Sequence, residues 1–160
     1  FFINHYPKIN TKLDSFIFEY NNYGILLVII GGFSPFPYKI TCLASGFLGV
    51  DFIVLAGYMR LIGPTLLESF GGRVVNIHPS LLPSFPGKDA IGQAIEGGVK
   101  ITGVTVHFVD AGMDTGEIIA QEIVRVTTGE TRQSLQDKIQ HVEHHLYPNT
   151  LNHLFLTTGH

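Results

Sequence analysis

The sequence is poor in cysteine and in charged side chains. Its single cysteine, Cys42, excludes an internal disulfide framework and any cysteine-rich zinc module, so a reducing, cytoplasmic location is expected. Charged residues make up 14% of the chain, against about 25% in an average soluble domain. The 10 Lys and Arg against 13 Asp and Glu leave a net charge of −3. This balance argues against a nucleic-acid partner bound through bulk positive charge.

Long hydrophobic runs are also missing. The longest, residues 24–32, is far shorter than the roughly 20 residues that a bilayer-spanning helix needs. No basic segment precedes it, so neither a signal peptide nor a membrane association is expected. Hydrophobic residues nevertheless form 45% of the 160 residues, which is enough for one domain with a buried core.

Several common site motifs are absent. Despite 18 glycines, the chain contains no G-x-G-x-x-G, no P-loop and no G-x-S-x-G, which argues against standard nucleotide sites and against a serine hydrolase. His141 and His145 have a spacing that can bind zinc on a helix. A zincin needs Glu directly after the first His, and Val142 stands there. We interpret the pair as a solvated helix face and expect no metal.

From residue 51 onward, apolar runs alternate with helical periodicity, which predicts an α/β fold in a single domain over residues 1–160. Strands are predicted over 23–30, 51–56, 73–78, 104–109 and 118–126, and helices over 64–70 and 89–96. A last amphipathic helix presents one apolar face, formed by Leu135, Ile139, Val142 and Leu146. Pro148 is expected to end or kink this helix. The sheet is expected to be mostly parallel, flanked by helices, with an antiparallel edge formed by the last two strands.

Asn76 and His78 are candidate catalytic residues. They lie two apart in a predicted strand, so their side chains point to the same face, near the carboxyl end where α/β sheets bind ligands. An amide N–H donor beside an imidazole can stabilise an oxyanion. The alternative is a polar strand end that caps nearby backbone.

Asp114 lies in the glycine-flanked turn 112–116. A carboxylate placed there could orient the His78 imidazole and favour its protonated form. The alternative is a turn aspartate that bonds its own backbone. His107, in the middle of a predicted strand, is interpreted as a structural histidine.

Taken in order, four runs resemble the folate-dependent formyltransferases, in particular the branch that acts on glycinamide ribonucleotide. They are DFIVLAGYMR (51–60), VNIHPSLLPSFPG (75–87), GVTVHFV (103–109) and MDTGEII (113–119), followed by EHHLYP (143–148). The resemblance implies a Rossmann-like formyltransferase fold. It also implies transfer of a formyl group from 10-formyltetrahydrofolate to the amine of glycinamide ribonucleotide in purine biosynthesis.

The resemblance also assigns roles to residues. The catalytic trio matches Asn76, His78 and Asp114. Positions expected to bind the folate are Met59, Arg60, Leu61, Ile62, Asp110 and Gly112. Positions expected to bind the amine substrate are Ile77, Pro79 and Glu143, the last as the carboxylate that holds the amine.

The amino-terminal third departs from this family. Members open with a strand and a Gly-Ser-Asn loop that binds the ribose phosphate, and residues 1–30 reproduce neither. We therefore expect a missing first strand and phosphate loop. Two further readings remain: a hydrolase that releases formate from the same donor, and a truncated folate-binding domain with little activity. The expected partners are small-molecule substrates, and a homodimer is left open.

Overall fold

The computed structural model describes residues 51–58 and 61–158, together with the backbone of a strand at residues 27–30. The expectation of a missing first strand and phosphate loop concerns residues outside the described part of the chain. Met59 and Arg60 lie outside that part as well.

The described residues contain five strands and three helices. Their order is β1 (Leu27–Ile30), β2 (Ile53–Ala56), α1 (Pro64–Ser69), β3 (Val74–His78), α2 (Ala90–Glu96), β4 (Ile101–Phe108), β5 (Ile118–Arg125) and α3 (Arg132–Thr158).

The described strands form one sheet in the order β1-β2-β3-β4-β5. The pairs β1–β2 and β2–β3 are parallel, whereas β3–β4 and β4–β5 are antiparallel. The expected α/β fold with an antiparallel edge is confirmed. Among the described strands, two pairs are parallel and two are antiparallel, whereas the sequence predicted a mostly parallel sheet. The difference arises because β4 pairs antiparallel with β3 as well as with β5.

The central strands β2 and β3 are buried on both faces. One face of β2 and β3 packs against α3 through residues such as Val54 and Val75, whose neighbours in the core include Leu135 and Ile139. The other face packs against α1. Burial on both faces explains why β2 and β3 are continuous apolar runs in the sequence.

Helix α3 passes through Pro148 and continues to Thr158, so the proline does not end it. Proline in a helix interior costs about 3 kcal/mol. The residues around it offset that cost, because Tyr147 and Leu151 are both buried in the core, and full burial of a large side chain stabilises by about 1.5–3 kcal/mol. No helix in the described part of the chain is long and apolar enough to cross a membrane.

Tyr147 ties α3 to the backbone of the sheet. Its hydroxyl lies 2.7 Å from the carbonyl oxygen of Leu55 in β2 and 3.2 Å from that of Val75 in β3. The group is buried, so its O–H donates in a place that water does not reach.

We expect Tyr147→Phe to lower the free energy of unfolding by about 1–2 kcal/mol, because it removes a buried hydrogen bond and keeps the ring. Urea denaturation measures the change. The control is Thr157→Ala, which removes an exposed hydroxyl bonded within α3 and is expected to cost under about 0.5 kcal/mol. Equal losses in the two variants would contradict the assigned role of the Tyr147 hydroxyl.

Candidate active site

A cavity of about 340 Å³ opens where β2 and β3 end. Its floor includes the row Leu55, Asn76 and His107, which the strand register places side by side on the α1 face of the sheet. Residues that the sequence singled out line much of the cavity, namely Leu61, Ile62, Asn76, Ile77, His78, Pro79, Asp110, Gly112 and Asp114. Glu143 is not among the lining residues.

Both ring nitrogens of His78 face hydrogen-bond acceptors. Nε2 lies 2.9 Å from the backbone oxygen of Phe85, and Nδ1 lies 3.5 Å from Oδ2 of Asp114. A ring with protons on both nitrogens satisfies both neighbours, whereas a neutral ring can donate to only one. The Nδ1 separation is longer than the roughly 2.7–2.9 Å of a good charge-assisted hydrogen bond. That N–H is therefore available to a second acceptor.

Asp114 lies between two imidazoles. Its Oδ2 accepts a 2.7 Å hydrogen bond from the backbone N–H of Gly87, and its Oδ1 is 3.7 Å from Nε2 of His107. The residue has φ 55°, a left-handed conformation that aspartate tolerates better than most side chains. The structure thus brings Asn76, His78 and Asp114 to one side of the cavity.

The turn that carries Asp114 is built by Asp110 and by two glycines. Oδ1 of Asp110 accepts hydrogen bonds from Gly112 N–H at 3.0 Å and from the Thr115 hydroxyl at 2.7 Å. A Cβ on Gly116 would overlap the carbonyl oxygen of Phe108, and one on Gly112 would overlap the Thr115 side chain. Asp110 borders the cavity, but its Oδ1 is used to shape the turn.

A buried polar network holds the loop 79–87 against the sheet. The Thr105 hydroxyl donates to the Ser80 carbonyl at 2.7 Å and accepts from Leu82 N–H at 3.0 Å. Gln121 donates to the Leu82 carbonyl at 3.0 Å. These bonds place the loop so that the Phe85 carbonyl meets His78. The sequence indicated a proline-rich loop here, but not the residues that hold it.

His107 was interpreted from the sequence as structural, yet it lies in the cavity floor. Nε2 is 3.3 Å from Nδ2 of Asn76, and Nδ1 is 2.8 Å from the backbone oxygen of Phe108. Burial lowers the pKa of His107 below its ordinary value, against a smaller raising effect of the bond to Phe108. An antiparallel register between β3 and β4 would have revealed the contact, but the sequence predicted antiparallel pairing only for the last two strands.

Two charged residues that the sequence did not single out lie at the cavity rim. Arg132, the first residue of α3, makes a two-point ion pair with Asp89, at 2.5 and 3.0 Å. The same carboxylate accepts from Gly92 N–H in the first turn of α2. The pair therefore fastens the start of α3 to the start of α2.

Glu143 lies on α3, which covers the face of the sheet opposite to Asn76 and His78. It is half-buried, one helical turn before Tyr147. Burial raises the pKa of Glu143 to about 7, from the ordinary 4.5. On the same helix, the exposed rings of His141 and His145 meet edge-on, with centroids 4.8 Å apart. Within the described residues, no group of three or more His, Cys, Asp or Glu side chains is placed to hold a metal ion.

Comparison with known proteins assigns the chain to a family. The sequence profile described as Formyl transferase matches residues 44–151, well over half of the chain. The chain belongs to the formyl transferase family. Strands β2 to β5 and the residues that line the cavity all lie within the matched range.

Individual relatives agree with the family. A phosphoribosylglycinamide formyltransferase of Bacillus subtilis is 54% identical over 105 residues, covering 66% of this chain and 54% of the relative. The crystal structure of phosphoribosylglycinamide formyltransferase from Bacillus halodurans is 54% identical, with a TM-score of 0.71 over 78% of this chain and 66% of that one. A formyltetrahydrofolate deformylase structure from Pseudomonas syringae is more distant, with 33% identity and a TM-score of 0.58 over 68% of this chain and 39% of that one. The chain spans about half the length of the curated relatives it matches.

We expect Glu143→Gln to stabilise the protein at alkaline pH. The folded state keeps the Glu143 proton up to a pKa of about 7, whereas the unfolded state loses it near 4.5. Wild-type stability therefore falls as pH rises from about 4.5 to 7, and the penalty is complete above that window. The variant lacks the penalty and should gain about 1–2 kcal/mol in stability at pH 8 and nothing below pH 4.5. The gain is smaller than for a fully buried carboxyl because solvent partly screens Glu143.

Urea denaturation of both proteins at pH 4.5 and pH 8 measures this difference. Glu96→Gln, at an exposed position that ends α2, is the matched control and should change stability equally at the two pH values. A pH-independent effect of Glu143→Gln would show that burial does not hold its proton.

Proposed function

We propose that the chain transfers the formyl group of 10-formyltetrahydrofolate to the amine of glycinamide ribonucleotide, a step of purine biosynthesis. The observation that carries the proposal is the meeting of Asn76, His78 and Asp114 at one cavity. Two curated relatives with this activity in their names, 54% and 49% identical, support the choice of acceptor.

The cavity suits a folate donor. Its walls combine apolar side chains such as Ile62 and Val109 with the polar group at its floor, which is the usual composition of a small-molecule site. Leu61 and Met113 line the mouth and are 60% and 53% exposed, so they offer apolar surface to a flat ring. Leu61, Ile62, Asp110 and Gly112 are the described positions that we assign to the folate.

In the proposed reaction, the acceptor nitrogen bonds to the formyl carbon, and the bond between that carbon and the folate nitrogen then breaks. Negative charge develops on the formyl oxygen in between. We assign its two hydrogen-bond donors to an N–H of the Asn76 amide and to Nδ1–H of protonated His78. His78 Nε2 is engaged by the Phe85 carbonyl. Loss of one such donor typically lowers the rate by about 10²–10³-fold. With both donors present, the proposed reaction uses no metal ion.

Asp114 is assigned the proton transfer. The attacking amine must lose a proton and the leaving folate nitrogen must gain one. Oδ2 of Asp114 is held by Gly87 N–H and lies beside His78, so the carboxylate orients the imidazole and can pass the proton through water. Ile77 and Pro79 line the cavity as the assigned neighbours of the amine substrate. Glu143 does not line the cavity, so its assignment to the amine rests on the family resemblance alone.

Formate release by hydrolysis is the competing activity. It would use the same trio with water as acceptor, and the Pseudomonas syringae deformylase is a structural neighbour. A folate-binding domain with little turnover is the third reading. All three differ in what happens to the formyl group when the amine is present or absent.

We expect the chain to form N-formylated glycinamide ribonucleotide and tetrahydrofolate from the two substrates, and to release little formate without the amine. Asp114→Asn should lower kcat by about 10²-fold or more while donor binding persists, because the amide still accepts from Gly87 N–H but carries no charge for proton transfer. Product chromatography and a direct donor-binding titration measure the two quantities.

The matched control is Asp137→Asn, an exposed carboxylate on α3 that is expected to leave kcat unchanged. Amine-independent formate release at the full rate would make the chain a hydrolase. Tight donor binding without turnover would make it a binding domain. An unchanged kcat in Asp114→Asn would remove Asp114 from the proposed mechanism.

A further inference from the structure

We propose that His107 is a positioning residue for Asn76: it accepts a hydrogen bond from the side-chain amide and so holds that amide with its nitrogen, rather than its oxygen, at a fixed place in the cavity floor. His107 would thus orient the proposed oxyanion donor, and the kinetic effect of this orientation rests on the proposed function.

The position of the proton on the His107 ring follows from the neighbour of Nδ1. Nδ1 lies 2.8 Å from the backbone oxygen of Phe108, which can only accept. Nδ1 therefore carries the proton. In a neutral imidazole the other nitrogen then has a lone pair and no proton, so Nε2 of His107 is an acceptor.

Burial keeps the His107 ring neutral. His107 is 1% exposed, and burial disfavours its charged form. The charged groups that face it act in both directions, since the carboxylates of Asp114 and Asp110 favour the cation and His78 opposes it. Oδ1 of Asp114 is 3.7 Å from Nε2, which is beyond hydrogen-bond distance. Desolvation is the largest effect, and it favours the neutral ring.

The lone pair on Nε2 of His107 fixes the orientation of the Asn76 amide. An acceptor at Nε2 requires a donor opposite, and Nδ2 of Asn76 lies there at 3.3 Å. Turning the amide over would place Oδ1 against the lone pair. The observed orientation leaves buried Oδ1 without a partner among the described residues. A buried acceptor without a partner is destabilising, so the arrangement persists because His107 dictates it.

This contact leaves the second N–H of Asn76 for the substrate. An amide nitrogen has two N–H groups, and His107 takes one of them. The other is the donor that the proposed reaction uses on the formyl oxygen. Without an acceptor at position 107, the amide would be free to present oxygen or nitrogen, and part of the population would offer the wrong atom.

The direct test determines which tautomer His107 adopts in the uniformly ¹⁵N-labelled chain at pH 7. Long-range ¹H–¹⁵N NMR distinguishes a neutral Nδ1–H ring from the Nε2–H tautomer and from the imidazolium. The His107 signals are those that His107→Gln lacks. A neutral Nδ1–H ring is expected. Either of the other two forms would overturn the proposal, whatever reaction the chain catalyses.

The kinetic test compares two replacements. His107→Phe keeps a ring but removes the acceptor, and we expect kcat to fall about tenfold or more with KM for the donor little changed. In His107→Gln, Oε1 can accept where Nε2 did, so we expect kcat within about fivefold of wild type. Urea denaturation of each variant separates this effect from a loss of folding.

Because His107 is proposed to act through Asn76, the two effects should not multiply. In an Asn76→Ala background, adding His107→Phe is expected to change kcat less than twofold. Multiplication of the two losses, or equal losses in His107→Phe and His107→Gln, would overturn the positioning role. If the wild type transfers no formyl group, the proposed function fails, and the tautomer measurement still decides the arrangement at His107.

Discussion

The site depends on one hydrogen bond, from the backbone N–H of Gly87 to the carboxylate of Asp114. It joins two segments far apart in the sequence, the proline-rich loop after β3 and the glycine-rich turn after β4. Gly87 has φ 76°, which glycine adopts without strain, and Asp114 has φ 55°. The two unusual conformations bring the donor and the acceptor together. Once they meet, the carboxylate lies beside His78, and the loop and the turn enclose a shared cavity.

Two histidines of this cavity show how neighbours determine chemical role. His78 has an acceptor at each nitrogen, which suits a ring with two protons. His107 has an acceptor at Nδ1 and an amide nitrogen at Nε2, which suits a neutral ring. The same carboxylate stands near both rings, yet the partners on the far sides differ. The first histidine is therefore arranged to donate and the second to accept, and Asn76 between them can keep one N–H for a substrate.

The sequence predicts the parts of this site that depend on short-range periodicity. Asn76 and His78 share a face because they lie two apart in a strand, and the sequence predicted that strand over 73–78. The approach of Asp114 to His78 depends on the path of a turn. The residues left it as one of two alternatives, and the family resemblance favoured it. The position of His107 depends on the register of β3 against β4, which local propensity does not encode. Helix α3 continues past Pro148 for a similar reason, since its packing with the sheet outweighs the local preference.

The mixed sheet explains why a buried strand residue can take part in the site. β3 pairs parallel with β2 but antiparallel with β4. In a fully parallel sheet, ligand contacts come from the loops beyond the strand ends. Here β4 runs the opposite way, so His107, inside β4, lies directly opposite Asn76. The turn after β4 then folds back to bring Asp114 to the same place. Part of the site is consequently a rigid, hydrogen-bonded strand pair, which restricts side-chain motion more than a loop does. That rigidity is what a fixed amide orientation at Asn76 requires.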